Sequence, residues 1–433
     1  MQRVTAFLAY ATAATTVRAS GLRAEGAILA PATNDVEESA EVAKNMTIVY
    51  GETTLPSGIR SRFVKNINGL TMHLLEAGFE EKDRPGILLL HGFPELAYSW
   101  RKVMLPLAQA GFHVIAPDQR GYGRTSGWDS NYDGDVGSFR LLNLVIDILA
   151  LVSALGYRSV VAVVGHDFGS PVAALCSLIR PDVFRSVVMM SAPFAGLQPL
   201  PFNIANDSPQ GTASRGPTIH EELAALPRPR KHYQWYFSTR GANDNMRNCP
   251  QGVHDFLRAY YHFKSADWKQ NKPFPLKSWS AAELAKLPNY YVMELDKGMA
   301  ETVAPEMPTA SENTACKWLT EHDLRVYSTE YGRDGFQGGL QWYRCTTDPK
   351  YTADLQAFSG CTIDVPSCFI AGASDWGIHQ GPGGLEKMRT VACTQMLAFH
   401  LVDDAGHWVQ QEQDVVVSKL LIEFLRTARQ SRK

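Results

Sequence analysis

The stretch Val160–Ser170 reads Val-Val-Ala-Val-Val-Gly-His-Asp-Phe-Gly-Ser. Its apolar, β-branched first half predicts a strand buried on both faces, and Pro171–Ile179 behind it carries the apolar period of a helix. Between them the pattern Gly-x-Asp-x-Gly predicts a sharp strand-to-helix turn, whose glycines relieve crowding so that one side chain stands at the top of a sheet. That side chain is Asp167. A carboxylate there attacks a carbon centre by displacement and is regenerated, because the ester it forms is hydrolysed at its own carbonyl. A serine doing the same would end as a stable ether. Aspartate also serves as a buried structural carboxylate or a helix N-cap, so the flanking chain has to supply the context.

Upstream, Ile59–Val64 and Leu70–Glu76 around the Asn68-Gly69 turn predict a β-hairpin, with ordered structure beginning near Gly58. Gly86-Ile-Leu-Leu-Leu-His91-Gly92-Phe93-Pro94-Glu95 predicts a buried strand entering a loop. A helix over Tyr98–Ala110, a strand over His113–Pro117 and a helix over Phe139–Leu155 follow. Downstream, the strand Phe184–Met190 closes the first half of an alternating pattern that predicts a parallel sheet with helices on both faces. A long aromatic, proline-punctuated segment then predicts an inserted, mainly helical cap, with helices near Glu221–Ala225, Gly252–Phe263, Ala281–Ala285 and Ala315–Tyr327. The α/β rhythm resumes at Val365–Asp375, continues through the strand Leu397–Val402 and ends in the helix Val415–Thr427. The expected division is a leader and linker over 1–54, core over 55–195, cap over 196–355 and core again over 356–433.

The chain has 433 residues, of which 45% are hydrophobic and 20% charged, and a net charge of −2. A large core is available. Nothing in the charge pattern offers a basic footprint for nucleic acid or a polybasic patch for a membrane surface, so a small molecule is the expected partner. Met1–Ser20 resembles a secretory signal, with Ala-x-Ala options at Ala9–Ala11 and Ala11–Ala13, and its apolar run is too short for a confident membrane span. A mitochondrial transit peptide and a disordered cytoplasmic extension are the other readings. Cys176 reads as a core residue. Cys249, Cys316, Cys345, Cys361, Cys368 and Cys393 are an even number that three disulfides would suit, although a chain of this size needs no staples. Asn45-Met-Thr and Asn206-Asp-Ser are glycosylation sequons. No Cys or His cluster has metal spacing.

In an open α/β sheet ligands bind at the carboxyl ends of the strands, where the chemically marked residues fall. Asp167 ends one strand, Asp375 ends the strand after the cap, and His407 follows the last strand in Asp404-Ala-Gly-His-Trp408. The order nucleophile, acid, histidine is that of the α/β-hydrolases. In it His407 takes a proton from water while Asp375 holds its tautomer. Asp403 is the second choice for the acid, and Asp364 lies at the wrong end of its strand. His113, His166 and His400 read as core histidines. The backbone N–H groups of Phe93 and Phe168 are positioned to donate to an oxyanion.

His91-Gly-Phe-Pro-Glu95, Gly165-His-Asp-Phe-Gly169, the acid at Asp375 and Gly406-His407 together resemble the soluble epoxide hydrolases of the α/β-hydrolase fold, from about Gly58 to the C-terminus. The resemblance implies two cap tyrosines that protonate the epoxide oxygen. It selects Tyr233 in His232-Tyr-Gln-Trp-Tyr-Phe237 and Tyr343 in Leu340-Gln-Trp-Tyr-Arg344 from among 16 tyrosines, leaving Tyr236, Tyr260 and Tyr261 as core or pocket lining. It implies an epoxide substrate, apolar or aromatic, turned into a vicinal diol with no metal or organic cofactor. A dehalogenase on the same fold would need side-chain N–H donors beside the nucleophile, which Phe93 and Phe168 lack. A cyclase in which an internal hydroxyl opens the ring, or a binding protein, are further alternatives. Oligomeric state is not legible.

Overall fold

A run of valines cannot leave its amide groups unpaired once it is buried, and β5 (Ala162–His166) is flanked on both sides by parallel strands that take them up. The computed structural model describes residues 50–197 and 217–430. The leader read over Met1–Ser20 and both sequons lie outside these residues. The described residues all fall in one compact unit.

The eight-stranded sheet runs β1 (Ile59–Ile67), β2 (Leu70–Ala77), β4 (His113–Pro117), β3 (Gly86–Leu90), β5, β6 (Val187–Met190), β9 (Ser367–Gly372) and β10 (Met396–Val402) in spatial order. The β1–β2 hairpin is antiparallel and joins β4 antiparallel; every pairing from β4 to β10 is parallel. Helices Arg101–Gln109, Leu141–Ala154, Gly169–Ile179 and Asp414–Gln430 provide the α layers. Between β6 and β9 lie the cap helices, with a two-stranded ribbon of β7 (Arg230–His232) and β8 (Val292–Glu294) that the periodicity did not indicate.

The cap is seated by close backbone approaches. A Cβ on Gly338 would strike the carbonyl of Gly121, and one on Gly339 would strike the Phe93 ring. The Trp342 indole N–H donates to the Arg120 carbonyl at 2.9 Å, and Tyr261 and Tyr331 hydroxyls donate to the carbonyls of Pro94 and Glu95 at 2.8 and 3.0 Å. Glycine in the helix Gln337–Thr347 costs helical stability, and here it lets that helix, which carries Tyr343, lie directly on the core loops.

Three expectations need correction. Order begins before Gly58, because Tyr50 is buried and its hydroxyl donates to Asp118 at 3.0 Å; a single tyrosine among polar residues has no periodicity to reveal it. The helix read over Ala315–Tyr327 is two, Ala310–Ala315 and Glu321–Asp334. Thr320 starts the second with a reciprocal capping box to Asp323, a local signal that outcompetes a continuous apolar pattern. All seven cysteines are free thiols, so the disulfides that six of them allowed are not formed.

Candidate active site

The turn after β5 places Asp167 with φ at +50°, a conformation costly for a side chain with a Cβ. Its neighbours make the turn possible. A Cβ on Gly165 would meet the carbonyl of Gly169, and one on Gly169 would meet the carbonyl of Leu90. The amide N–H of Asp167 donates to the Met190 carbonyl at 3.1 Å, and the Phe93 N–H donates to Asp167 Oδ1 at 2.9 Å. The helix Gly169–Ile179 takes no side-chain cap from Asp167, which leaves that carboxylate facing the cleft rather than serving the helix.

His407 brings the three marked residues together. Its Nδ1 lies 3.2 Å from both carboxylate oxygens of Asp375, and its Nε2 lies 3.3 Å from Asp167 Oδ2. The second approach is an ion-pair distance without hydrogen-bond geometry, so Nε2 is a buried nitrogen with no hydrogen bond among the described residues. The Gly377 N–H donates to Asp375 Oδ1 at 2.7 Å and holds it toward the imidazole. Burial pushes both carboxyls upward, but His407 together with Lys264, and with His166 at Asp167 and the Gly377 N–H at Asp375, outweighs it, so both are held below the usual carboxylate range. The rivals are elsewhere, with Asp403 exposed and Asp364 bonded to Thr362 and Thr394 before β9.

The cap tyrosines meet over this group. The rings of Tyr233 and Tyr343 are 5.9 Å apart, and Tyr343 stands edge-on to Phe168 at 4.7 Å and to Phe93 at 5.5 Å. Burial first, and then the charge of Asp167, raises both phenols above the ordinary tyrosine value. Both phenols are therefore protonated at neutral pH. Tyr260 is buried nearby, and Tyr236 bonds to Asn245 away from the nucleophile.

Three participants escaped sequence reasoning. His166, read as a core histidine, has its Nδ1 2.6 Å from Glu95 Oε2 and its Nε2 2.7 Å from the His407 carbonyl. Both partners are acceptors, which requires two N–H groups. Burial disfavours that charge, but the Glu95 carboxylate raises His166 above the ordinary histidine value. Glu95 also accepts from the Gly92 N–H and from the amides of Gln410 and Gln411, so one carboxylate ties the Phe93 loop to the turn and to the histidine loop. Lys264 is buried with its ammonium 5.0 to 5.8 Å from the rings of Tyr260, Tyr290, Tyr291 and Trp408. The placement of Glu95 inside His91–Glu95 was the available signal; Lys264 had none.

Among the described residues no group of three or more His, Cys, Asp or Glu is arranged to hold a metal ion, and no helix is long and apolar enough to cross a membrane. The arrangement sets the Asp167 carboxylate beside the His407 imidazole, with the Asp375 carboxylate on the other side of that ring and two buried phenols packed against Phe93 and Phe168.

Residues 85–414 match the family of the α/β-hydrolase fold. Epoxide hydrolase B of Mycobacterium tuberculosis is 30% identical over 84% of this chain and 97% of its own length. Epoxide hydrolase A of the same organism is 32% identical over 83% and 95%. Among solved structures, an epoxide hydrolase from an endophytic Streptomyces superposes with a TM-score of 0.66 at 32% identity, covering 87% of this chain and 97% of that one. Potato (Solanum tuberosum) epoxide hydrolase I gives 0.65 at 28% identity, covering 85% and 99%.

Proposed function

Since the chain belongs to the α/β-hydrolase fold family and is an epoxide hydrolase within it, we propose that it opens its epoxide in two covalent steps centred on Asp167. In the first, a carboxylate oxygen of Asp167 attacks one epoxide carbon. The C–O bond of the ring breaks, and the oxygen takes a proton from Tyr233 or Tyr343, leaving a hydroxyalkyl ester. In the second, His407 takes a proton from water and the hydroxide adds to the ester carbonyl; the intermediate expels the diol oxygen, which takes the carboxyl proton and restores Asp167 as carboxylate, and the proton on His407 returns through solvent to the tyrosinate left by the first step. The tetrahedral oxyanion is held by the N–H groups of Phe93 and Phe168.

The observation that carries this reading is His407 between two carboxylates, 3.2 Å from Asp375 and 3.3 Å from Asp167. A base beside the nucleophile has no use in displacement by an anion that is already ionised, but it is needed where water must attack the resulting ester. The rings of Phe168, Phe93 and Phe237 beside Tyr343 support an apolar or aromatic epoxide. Phe93 and Phe168 offer no side-chain N–H to a halide, which weighs against dehalogenation. Met1–Ser20 supports export, and the N-terminal sequence of the mature protein tests that.

The test of the mechanism is intact-protein mass and product analysis with aryl and alkyl epoxides. Wild type is expected to yield diol, and His407→Gln to accumulate an adduct of the epoxide's mass on Asp167. An internal ether in place of diol, or halide release from haloalkanes with no reaction toward epoxides, would overturn it.

A further inference from the structure

Glu412 takes no part in the two steps above, yet its carboxylate accepts three backbone N–H groups around the catalytic histidine. Oε2 accepts from Gly406 at 2.9 Å and Ala266 at 2.8 Å, and Oε1 accepts from Trp408 at 2.9 Å. Gly406 and Trp408 flank His407, whereas Ala266 lies just past the cap helix Gly252–Lys264. The same helix end accepts the His407 N–H at the Lys264 carbonyl and the Trp408 indole N–H at the Tyr261 carbonyl, each at 2.9 Å. A Cβ on Gly406 would lie 2.6 to 2.7 Å from backbone atoms of Lys264, Ser265 and Ala266. The glycine allows this contact and the carboxylate ties it together.

We propose that Glu412 is a positioning residue for His407, holding the Gly406–Trp408 backbone against the cap-helix end so that Nε2 stays aimed at the ester on Asp167. The proposal rests on the two-step reading. Asp167 is held separately, by the turn after β5 and the Phe93 N–H, and the cap tyrosines sit on other segments, so loss of Glu412 slows ester hydrolysis and spares ester formation. Burial pushes the Glu412 carboxyl up to about 8. In either protonation state both oxygens still accept, which an amide nitrogen does not. Glu412→Gln therefore removes at least one of the three bonds at almost constant volume.

The experiment mixes excess enzyme with styrene oxide and follows the ester by rapid quench and intact mass. In Glu412→Gln, ester formation is expected to match wild type and ester decay to slow roughly ten- to a hundredfold, the loss that follows small misplacement of a catalytic group. Gly406→Ala keeps the carboxylate but pushes the loop off the helix end, and should show the same split. If Glu412→Gln loses its circular dichroism spectrum, Gly406→Ala decides on the same two rates. Decay at the wild-type rate, or formation and decay falling together, overturns the proposal. His407→Gln separates the two levels: no ester in that variant overturns the two-step reading itself, whereas ester there with wild-type decay in Glu412→Gln overturns only the role of Glu412.

Discussion

Nε2 of His407 stands 3.3 Å from Oδ2 of Asp167 without completing a hydrogen bond to it. The Phe93 N–H is bonded to the other oxygen, Oδ1. The two carboxylate oxygens therefore have different surroundings. Oδ1 is held by a backbone N–H, and Oδ2 lies beside an imidazole nitrogen.

Replacing Asp167 by Asn keeps the shape and removes the nucleophilic charge. Diol formation should fall by about four orders of magnitude or more, as for other covalent nucleophiles that act as part of a unit. No adduct should appear at any time in the mass spectrum. An adduct formed at a comparable rate would transfer the nucleophile to another residue.

The phenols are raised above their ordinary value by burial and by Asp167, so each enters the reaction protonated. Tyr343→Phe and Tyr233→Phe should each slow ester formation, and the double variant should lose roughly 10²–10⁴-fold, the range of general-acid help. Ester decay should change little. Pre-steady-state fluorescence or quench measurements separate the two rates, and a double variant that forms ester at the wild-type rate would remove the tyrosines from the mechanism.

The rate of ester formation should be level from about pH 5 to about pH 9. Asp167 is held below the usual carboxylate range, so its active, ionised form persists as pH falls. The tyrosines are raised, so their active, protonated form persists as pH rises. In single turnovers, loss of this rate as pH falls toward about 5 would contradict the direction for Asp167, and loss as pH rises toward about 9 would contradict that for the tyrosines.

Glu76 in β2 is a stability element unconnected with the chemistry. It is buried and accepts from Arg60 at 3.0 Å and Arg62 at 2.6 Å, with His113 3.2 Å away. Burial opposes its charge, but these partners bring its carboxyl down to about 2. A folded value below the unfolded one gives stability that is present above about pH 4.5 and lost as pH falls toward 2. With the half-exposed arginines discounted, the contribution is about 2 kcal/mol. Urea denaturation of Glu76→Gln should show that loss at neutral pH and converge with wild type near about pH 2; an equal loss at both would make it a packing effect.

The sequence by itself determined the strand, turn and helix around Asp167, the order of carboxylate, acid and histidine, and the alternating sheet. These rest on interactions between near neighbours: side-chain period, glycine sterics at Gly165 and Gly169, and the break in apolar pattern at strand ends. Tertiary structure alone decided what those residues face. Tyr233 and Tyr343 meet only because the short helix Tyr233–Phe237, which follows β7, packs against the helix Gln337–Thr347. The charge on His166 depends on Glu95, Lys264 depends on three rings from other segments besides Tyr260 of its own helix, and the His407 backbone depends on Glu412 and a cap-helix end. Burial and hydrogen-bond partnership across the fold are set by which strands and helices become neighbours, and that information is not carried in the spacing of residues along the chain.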